Sequence, residues 1–258
     1  MRDFIHKIQS NNELIIRIVL FLTFLGHGLV SLGYSPSIKL HHALVHSINF
    51  TDIADAVFLK AAAIFDLVVA FLILLKIGKE KTLYLAILYL ATVAITALVF
   101  YFTKTGKIFG FAEVMRRFPW IFYALFLVFS YQGKKKYNLL RIGLAFAFLS
   151  HGLASLGIWG LNAGHVELAN NILKAQDVSV FIFTSGVVDT IIGTFLITGI
   201  FSQTIAKIAT LWIAFIVTLS FMTGFPDGIF RMGFLVSAIY VALDQRCHTK
   251  TLLNYTKK

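Results

Sequence analysis

Charged residues are scarce in this sequence. Asp, Glu, Lys and Arg together make up 14% of its 258 residues, whereas a soluble domain carries about 25%. The stretches 82–103, 142–164 and 208–226 contain none of the four. Each is long enough to cross a hydrocarbon core of ~30 Å as a helix that rises ~1.5 Å per residue. The scarcity of charge therefore excludes a soluble globular protein and indicates a polytopic helical membrane protein.

Cysteine is nearly absent as well. The single residue, Cys247, excludes an intramolecular disulfide, and no CxxC motif is present, so we expect no thiol redox chemistry from this chain alone. The formal net charge of +11 is the one compositional feature that points toward nucleic acid. We attribute it instead to the excess of Lys and Arg on the cytoplasmic side of membrane proteins, and expect a lipid bilayer and no nucleic acid as partner.

The apolar stretches predict an all-α fold with eight transmembrane helices. We place them near 14–33, 57–76, 82–103, 115–132, 141–158, 178–200, 205–224 and 229–245. With the N-terminus inside, 15 of the 23 Lys and Arg residues fall in cytoplasmic segments or at their edges. This distribution predicts cytoplasmic termini and an integral protein of the plasma membrane, the bacterial inner membrane.

An internal repeat divides the chain into two modules. Segment 17–33 recurs as segment 141–157, with 11 of 17 positions identical. We therefore expect a first four-helix module over 1–133 and a second over 134–258, the latter ending in a basic cytoplasmic tail. Each module has an even number of spans, so both enter the membrane from the same side. The two should be parallel repeats related by an axis along the membrane normal.

The repeat places ionisable residues inside apolar spans, where they are costly and mark candidate sites. His27 and His151 are repeat partners, as are Asp66 and Asp189 after a one-residue gap. Each histidine lies ten residues beyond the arginine that opens its repeat, or ~15 Å along a helix, which is near the midplane. Both aspartates fall at a similar depth. We expect a His–Asp contact in each module, acting as a catalytic pair or, alternatively, holding two helices together.

Two further groups are repeated at the outer side of the membrane. His41 and His165 each follow an intramembrane histidine by 14 residues, and imidazoles there would bind haem or a divalent metal, unless they are solvated. Acid–base pairs at i, i+4 share a helix face at the start of the fourth and eighth spans. We expect them to bind an anionic group or a quinone oxygen, or to be interfacial pairs. They are Glu113 with Arg117 and Asp227 with Arg231.

These motifs resemble the DoxX-like membrane proteins, a family of four-helix modules. The first-helix pattern of that family, an Arg, an apolar run, His-Gly and Leu-Gly, is matched by 17–33 and again by 141–157. Its acidic residue in the second helix is matched by Asp66 and Asp189, and its acidic residue before the fourth helix by Glu113 and Asp227. The resemblance implies a membrane subunit associated with an oxidoreductase, such as the quinone-linked subunit of a thiosulfate-oxidising complex.

The expected function is that of an inner-membrane, redox-associated protein. Its paired His/Asp sites would bind a quinone or haem, or relay protons, with a soluble or membrane oxidoreductase subunit as partner. Two alternatives stay open. One is a transporter for a small polar or anionic solute or a metal ion, which parallel repeats with midplane charges also fit. The other is an assembly or scaffold subunit.

Overall fold

Helices make up the described structure. The computed structural model describes residues 10–35, 38, 41, 42, 45, 52–100, 109–158, 169–170 and 178–248, without the side chains of 52–53, 100, 109–113 and 223. The long helices are α1 (Asn12–Leu29), α2 (Asp52–Leu74), α3 (Glu80–Phe100), α4 (Phe109–Tyr131), α5 (Asn138–Ser155), α6 (Val178–Thr198), α7 (Ser202–Thr223) and α8 (Phe225–Leu243). A π-helical segment, Val30–Tyr34, extends α1, and a 3₁₀ turn, Gln245–His248, follows α8.

Among the described residues, six helices are long and apolar enough to cross a bilayer. They are α1 with its extension, α2, α3, α6, α7 and α8. The protein is therefore an integral membrane protein. The other two long helices, α4 and α5, are not among these six, and burial within the protein explains this for α5. Helix α5 buries eleven of its 18 residues within the protein, whereas α6 buries five of 21, so α5 faces protein more than lipid and has less need of an apolar surface.

The helices pack in corresponding pairs along the two halves of the chain. Helix α1 packs on α2 and α8, and α5 packs on α6 and α4. Helix α3 packs on α4, as α7 packs on α8. Contacts between α1 and α4 and between α5 and α8 complete the interior. Helices α1, α4, α5 and α8 therefore form the centre of the bundle, and the core side chains lie between them.

Glycines allow the closest helix crossings. A Cβ on Gly28 of α1 would lie 3.1 Å from the carbonyl oxygen of Ala63 on α2, and one on Gly152 of α5 would lie 3.0 Å from the carbonyl oxygen of Gly186 on α6. At the α1–α8 crossing, a Cβ on Gly26 would lie 2.5 Å from the backbone nitrogen of Phe230. The absence of a side chain at these positions lets the helix backbones meet, directly beside the intramembrane histidines in the sequence.

The starts of odd-numbered helices and the ends of even-numbered helices lie together at one end of the bundle. We call it the basic end, and it contains Asn12, Lys76, Tyr137 and Arg246. Asn12, at the start of α1, donates a 2.8 Å hydrogen bond to the hydroxyl of Tyr137, just before α5. The Arg246 guanidinium, after α8, lies 4.2 Å from the centre of the Tyr137 ring. Lys76, after α2, pairs with Glu13 of α1 at 3.6 Å. Helices adjacent in sequence therefore run antiparallel.

Candidate functional site: two histidine–aspartate clusters

The first cluster forms where α1 crosses α2. The Nδ1 atom of His27 lies 2.7 Å from Oδ2 of Asp66. The Asp66 side chain is fully buried, while that of His27 is 16% exposed. The close approach at Gly28 sets the spacing of the two backbones, so both side chains reach the same interior point. A buried carboxylate needs such a donor, because burying it unpaired costs several kcal/mol or more.

His41 lies against this pair. Its ring centre is 4.6 Å from that of His27, with the two planes inclined by 37°. Its Nδ1 atom lies 2.8 Å from the hydroxyl oxygen of Ser31, which is one turn beyond His27 on the π-helical extension of α1. Burial lowers the pKa of His41 well below its ordinary value, and nearby His27 and Arg117 act in the same direction. A tilted ring contact with His27 and a hydrogen bond with Ser31 therefore hold His41, and its surroundings favour the neutral form.

Two aromatic residues and an arginine complete the first cluster. The Trp120 ring of α4 meets His27 edge-on at 5.5 Å, and the buried Arg117 guanidinium lies 5.8 Å from the Trp120 ring centre. The phenol of Tyr89 on α3 lies near the Asp66 carboxylate. Four helices thus contribute to one polar interior cluster.

The second cluster surrounds a cavity of about 100 Å³. Three of the residues that the repeat singled out line it: His151 of α5, Asp189 of α6 and Arg231 of α8. Polar side chains of Ser155 and Ser185 are also on the wall. The rest of the wall is apolar or aromatic, and includes Phe148, Phe181, Trp212 and Phe234. A mostly apolar pocket with a few convergent polar groups is the usual form of a small-molecule site.

Hydrogen bonds fix the polar groups of this cavity. The indole nitrogen of Trp212 on α7 donates to Oδ1 of Asp189 at 2.7 Å. Arg231 donates to the carbonyl oxygen of Asp227 at 3.3 Å and lies 3.8 Å from its carboxylate. The Asp227 carboxylate in turn accepts a hydrogen bond from Ser35, at the end of the α1 extension. Ser35, from the first half of the chain, therefore helps to hold Arg231 at the cavity in the second half.

The structure locates most of the residues predicted from the sequence. It brings His27, Asp66, His41 and Arg117 into one cluster, and His151, Asp189 and Arg231 onto one cavity wall. Asp227 lies beside this cavity, paired with Arg231. His165 and the side chain of Glu113 lie outside the described residues. Among the residues that are described, no group of three or more His, Cys, Asp or Glu side chains has an arrangement that could hold a metal ion.

The repeat also relates residues that the sequence reasoning missed. Tyr89 and Trp212 are 123 positions apart, the same offset that relates Asp66 to Asp189, and each presents a polar group to the aspartate of its half. Ser31 and Ser155 are 124 apart, as His27 and His151 are. Extending the alignment through the third helix of each module would have found the aromatic pair.

Comparison of the chain with protein-family models, with curated proteins and with solved structures finds no match.

Proposed function

We propose that this protein binds a quinone in the cavity of its second half and exchanges protons with it through His151 and Asp189. The observation behind the proposal is the cavity itself. It lies within a bundle of apolar helices, and His151, Asp189 and Arg231 meet on its wall. Quinones dissolve in the bilayer, so a site between transmembrane helices is accessible to them without passage through water.

The size of the cavity favours a single ring. A volume of about 100 Å³ is somewhat below the ~150 Å³ of an apolar cavity that binds benzene, so the pocket is of the order of one six-membered ring. A haem macrocycle is several times larger than such a ring and does not fit this cavity. The aromatic wall formed by Phe148, Phe181 and Phe234 provides flat apolar surfaces, against which a flat ring packs.

The polar residues have distinct expected roles. A bound quinone supplies two-electron, two-proton redox chemistry at its two carbonyl oxygens. The His151 imidazole is suited to donate a hydrogen bond to one such oxygen and to transfer a proton there. Asp189, held by the Trp212 indole at 2.7 Å, supplies or accepts the second proton. The Arg231 guanidinium, fixed by Asp227, stabilises negative charge that develops on an oxygen nearby.

The proposal includes a membrane topology of eight spans in two parallel four-helix modules, with cytoplasmic termini in a bacterial inner membrane. Three observations support it. The helix contacts recur between the two halves. The basic end contains every odd-numbered helix start for which a contact is described. The cations at that end fit the cytoplasmic side of a membrane. Because quinone chemistry needs an electron donor, the proposal also includes an oxidoreductase subunit as partner, as the DoxX-like resemblance implies.

Tryptophan fluorescence tests quinone binding directly, since Trp212 lies on the cavity wall and quinones quench indole emission. The purified protein in lipid nanodiscs is titrated with a short-chain benzoquinone. We expect saturable quenching, and a His151→Gln affinity about ten-fold lower, because the lost hydrogen bond is worth about 1.4 kcal/mol. The matched control is Ser150→Ala, next to His151 on α5, whose hydroxyl bonds to the Ala147 carbonyl. Unsaturable quenching, or equal affinity in His151→Gln, would contradict the proposal.

A transporter is the second candidate, because corresponding helix contacts in the two halves are the architecture of a parallel-repeat carrier. Uptake of a labelled anion or divalent metal into proteoliposomes separates the two functions. A carrier shows substrate-dependent uptake that both His27→Ala and His151→Gln abolish. A quinone protein shows saturable quinone binding without uptake. A scaffold subunit keeps its partner bound in both variants and shows neither activity.

A further inference from the structure

We infer that the cavity of the second half opens sideways into the bilayer between α6 and α7, and that its ligand is a quinone whose long hydrocarbon tail lies in this opening. The inference rests on the proposed function for the quinone ring. It adds the route by which the ring enters and the class of quinone, because an opening toward lipid favours a tailed, lipid-soluble quinone over a water-soluble one.

Helix packing leaves α6 and α7 loosely joined. Helix α6 packs mainly on α5, and α7 mainly on α8, whereas α6 and α7 share a much smaller contact. Glycines explain the two large contacts. A Cβ on Gly193 of α6 would lie 3.0 Å from the Ala145 carbonyl oxygen of α5, and one on Gly228 of α8 would overlap the Phe221 ring of α7. Each outer helix is therefore held close to its own inner partner.

Four residues, which we call the seam, line the cavity from the side of these two outer helices. They are Phe181 and Ser185 of α6 and Trp212 and Ile216 of α7. Each is half-buried, is preceded in the sequence by an exposed residue and is followed by a buried one. Successive residues of a helix are about 100° apart around its axis, so the seam lies on both helices at the border between the protein-facing and lipid-facing surfaces. The cavity therefore extends to the edge of the protein at the seam.

The seam lies at the depth of the acyl chains. The Trp212 indole nitrogen donates across it to Oδ1 of Asp189 at 2.7 Å. Both residues are at least nine positions from either end of their helices, or ~14 Å along the axis, whereas the whole hydrocarbon core is ~30 Å thick. A molecule that leaves the cavity through the seam therefore enters hydrocarbon and not the headgroup region.

This position suits a tailed quinone. A cavity of about 100 Å³ holds a ring and has no room for a long tail as well. Moving a hydrocarbon tail from lipid into water is unfavourable in proportion to its length, so a tailed quinone binds only where the tail stays in an apolar path. Three of the four seam side chains are apolar or aromatic, while the opposite wall contains the buried rings of Phe148 and Phe234.

Tail tolerance tests the opening in the wild-type protein. Nanodiscs that contain the protein are titrated with a short-chain benzoquinone and with its decyl derivative, and tryptophan quenching is plotted against the quinone-to-lipid ratio so that partitioning cancels. We expect dissociation constants that agree within about three-fold, because the tail stays in hydrocarbon before and after binding. A larger loss of affinity for the decyl quinone would overturn the inference, since its tail then has no path out of the cavity.

Photo-cross-linking locates the tail. A decyl benzoquinone with a diazirine midway along its tail is irradiated with the protein, and labelled residues are identified by mass spectrometry. Labels that excess short-chain benzoquinone removes should lie on α6 and α7, at the exposed residues that precede the seam residues. These are Val180, Thr184, Leu211 and Phe215. Removable labels confined to other helices, or none although the probe binds, would contradict the opening.

A matched pair of variants blocks the seam. Ser185→Phe fills the space between α6 and α7 and should weaken decyl-quinone binding about ten-fold or more. Thr184→Phe adds the same ring to the adjacent, lipid-exposed position and should bind as the wild type does. Equal affinity in both variants would overturn the inference. Every adverse result leaves the proposed function standing if the short-chain benzoquinone binds saturably and His151→Gln weakens it. A wild-type protein that binds neither quinone removes both.

Discussion

The two intramembrane aspartates have different hydrogen-bond donors. Asp66 is paired with the imidazole of its own module, His27, at 2.7 Å. Asp189 accepts from the indole of Trp212 at the same distance. An unpaired carboxylate inside the bilayer is too costly to persist, so each half supplies a donor from the residue types available to it. The two aspartates are thus equivalent in their position along the repeat and differ in the donor that the structure describes for each.

His41 should make the stability of the protein depend on pH. Its pKa in the folded state is lowered by burial, with His27, Arg117 and His42 adding to the effect, so the unfolded chain binds the proton more readily. Stability is therefore fully present above the ordinary histidine pKa of 6.5 and is lost as the pH falls through and below it. We expect the unfolding temperature to fall from about pH 8 to about pH 5.5, and to fall less in His41→Asn.

The comparison of wild type and His41→Asn isolates this contribution from that of the carboxylates, which titrate in both proteins. The two proteins are followed by thermal unfolding in the same detergent, with the circular dichroism of the helices as the signal. Parallel curves for the two proteins across this range would show that His41 is charged in the folded state or makes no difference to stability.

Sequence reasoning reached part of this detail. The contact of His27 with Asp66 was predicted from their matching depth on consecutive helices, and the structure contains it. The same reasoning predicted a contact of His151 with Asp189, where the described donor is Trp212. The role of Trp212 did not follow, since an aromatic residue in an apolar span is usually packing and nothing in its immediate neighbourhood distinguishes it. The geometry around His41 could not be predicted either, because it depends on how the chain returns to the bundle after α1.

At the scale of the elements, arginines connect the start of one helix to the end of the next. Arg17 of α1 donates to the Leu74 carbonyl oxygen at the end of α2, at 2.8 Å. Arg141 of α5, its repeat partner, donates to the carbonyl oxygens of Leu196 and Ile197 at the end of α6. It also reaches the Cys247 carbonyl oxygen at 3.1 Å. The last carbonyls of a helix have no partner within it and attract cations, so these arginines stabilise helix ends.

Replacing the two arginines with lysine should have unequal effects. Two nitrogens of Arg141 donate hydrogen bonds to three carbonyl oxygens. A lysine ammonium cannot reach all three in the same geometry. We expect Arg141→Lys to lower the free energy of unfolding by about 2 kcal/mol, and Arg17→Lys by about 1 kcal/mol or less. Thermal unfolding of both variants in one detergent measures the difference. Equal losses would mean that the positive charge alone matters and the forked geometry does not.

Helix boundaries were predicted less well than helix number. The eighth span was placed to begin near 229, but α8 begins at Phe225, so Asp227 and Arg231 lie inside its first two turns. The extended backbone of Gly224, with φ of −179°, separates it from α7, and Pro226 fits the first turn. Likewise α4 begins at Phe109, before the predicted 115. Hydrophobicity finds the part of a helix inside lipid, whereas caps and breaks decide where the helix ends.

At the scale of the whole molecule, helices α4 and α5 decide how the chain crosses the membrane. Within the described part of the chain, helix length and composition identify six helices that could span a membrane. Yet α4 has 23 residues and α5 has 18, or ~34 Å and ~27 Å of helix, and they pack against each other at the bundle centre. Their lower hydropathy reflects burial against protein, because a helix surrounded by other helices does not need an apolar surface on every side. Length and position together therefore favour eight spans.

The position of the linker between α4 and α5 provides a direct test of the eight-span topology. The side of the membrane on which it lies depends on whether these two helices cross the bilayer. Lys135 is exposed, so a cysteine placed there is open to reagents. The natural sequence has a single thiol, the buried Cys247. In a Cys247→Ser background, Lys135→Cys should react with an impermeant maleimide only when the cytoplasmic side is open to the reagent. Lys79→Cys, in the exposed turn between α2 and α3, should behave identically.

Ile158→Cys is the control for the opposite side. Ile158 is 51% exposed just after α5, at the end of the bundle away from Tyr137, and should react from outside in intact cells. If Lys135→Cys instead reacts from outside, or from neither side while Lys79→Cys reacts from within, α4 and α5 form a hairpin that does not cross. The arrangement of Asn12, Tyr137 and Arg246 at one end of the bundle argues against that outcome. Asn12, at the start of α1, and Arg246, just after α8, both contact Tyr137, so we expect the start of α5 at the same membrane face as these two helix ends.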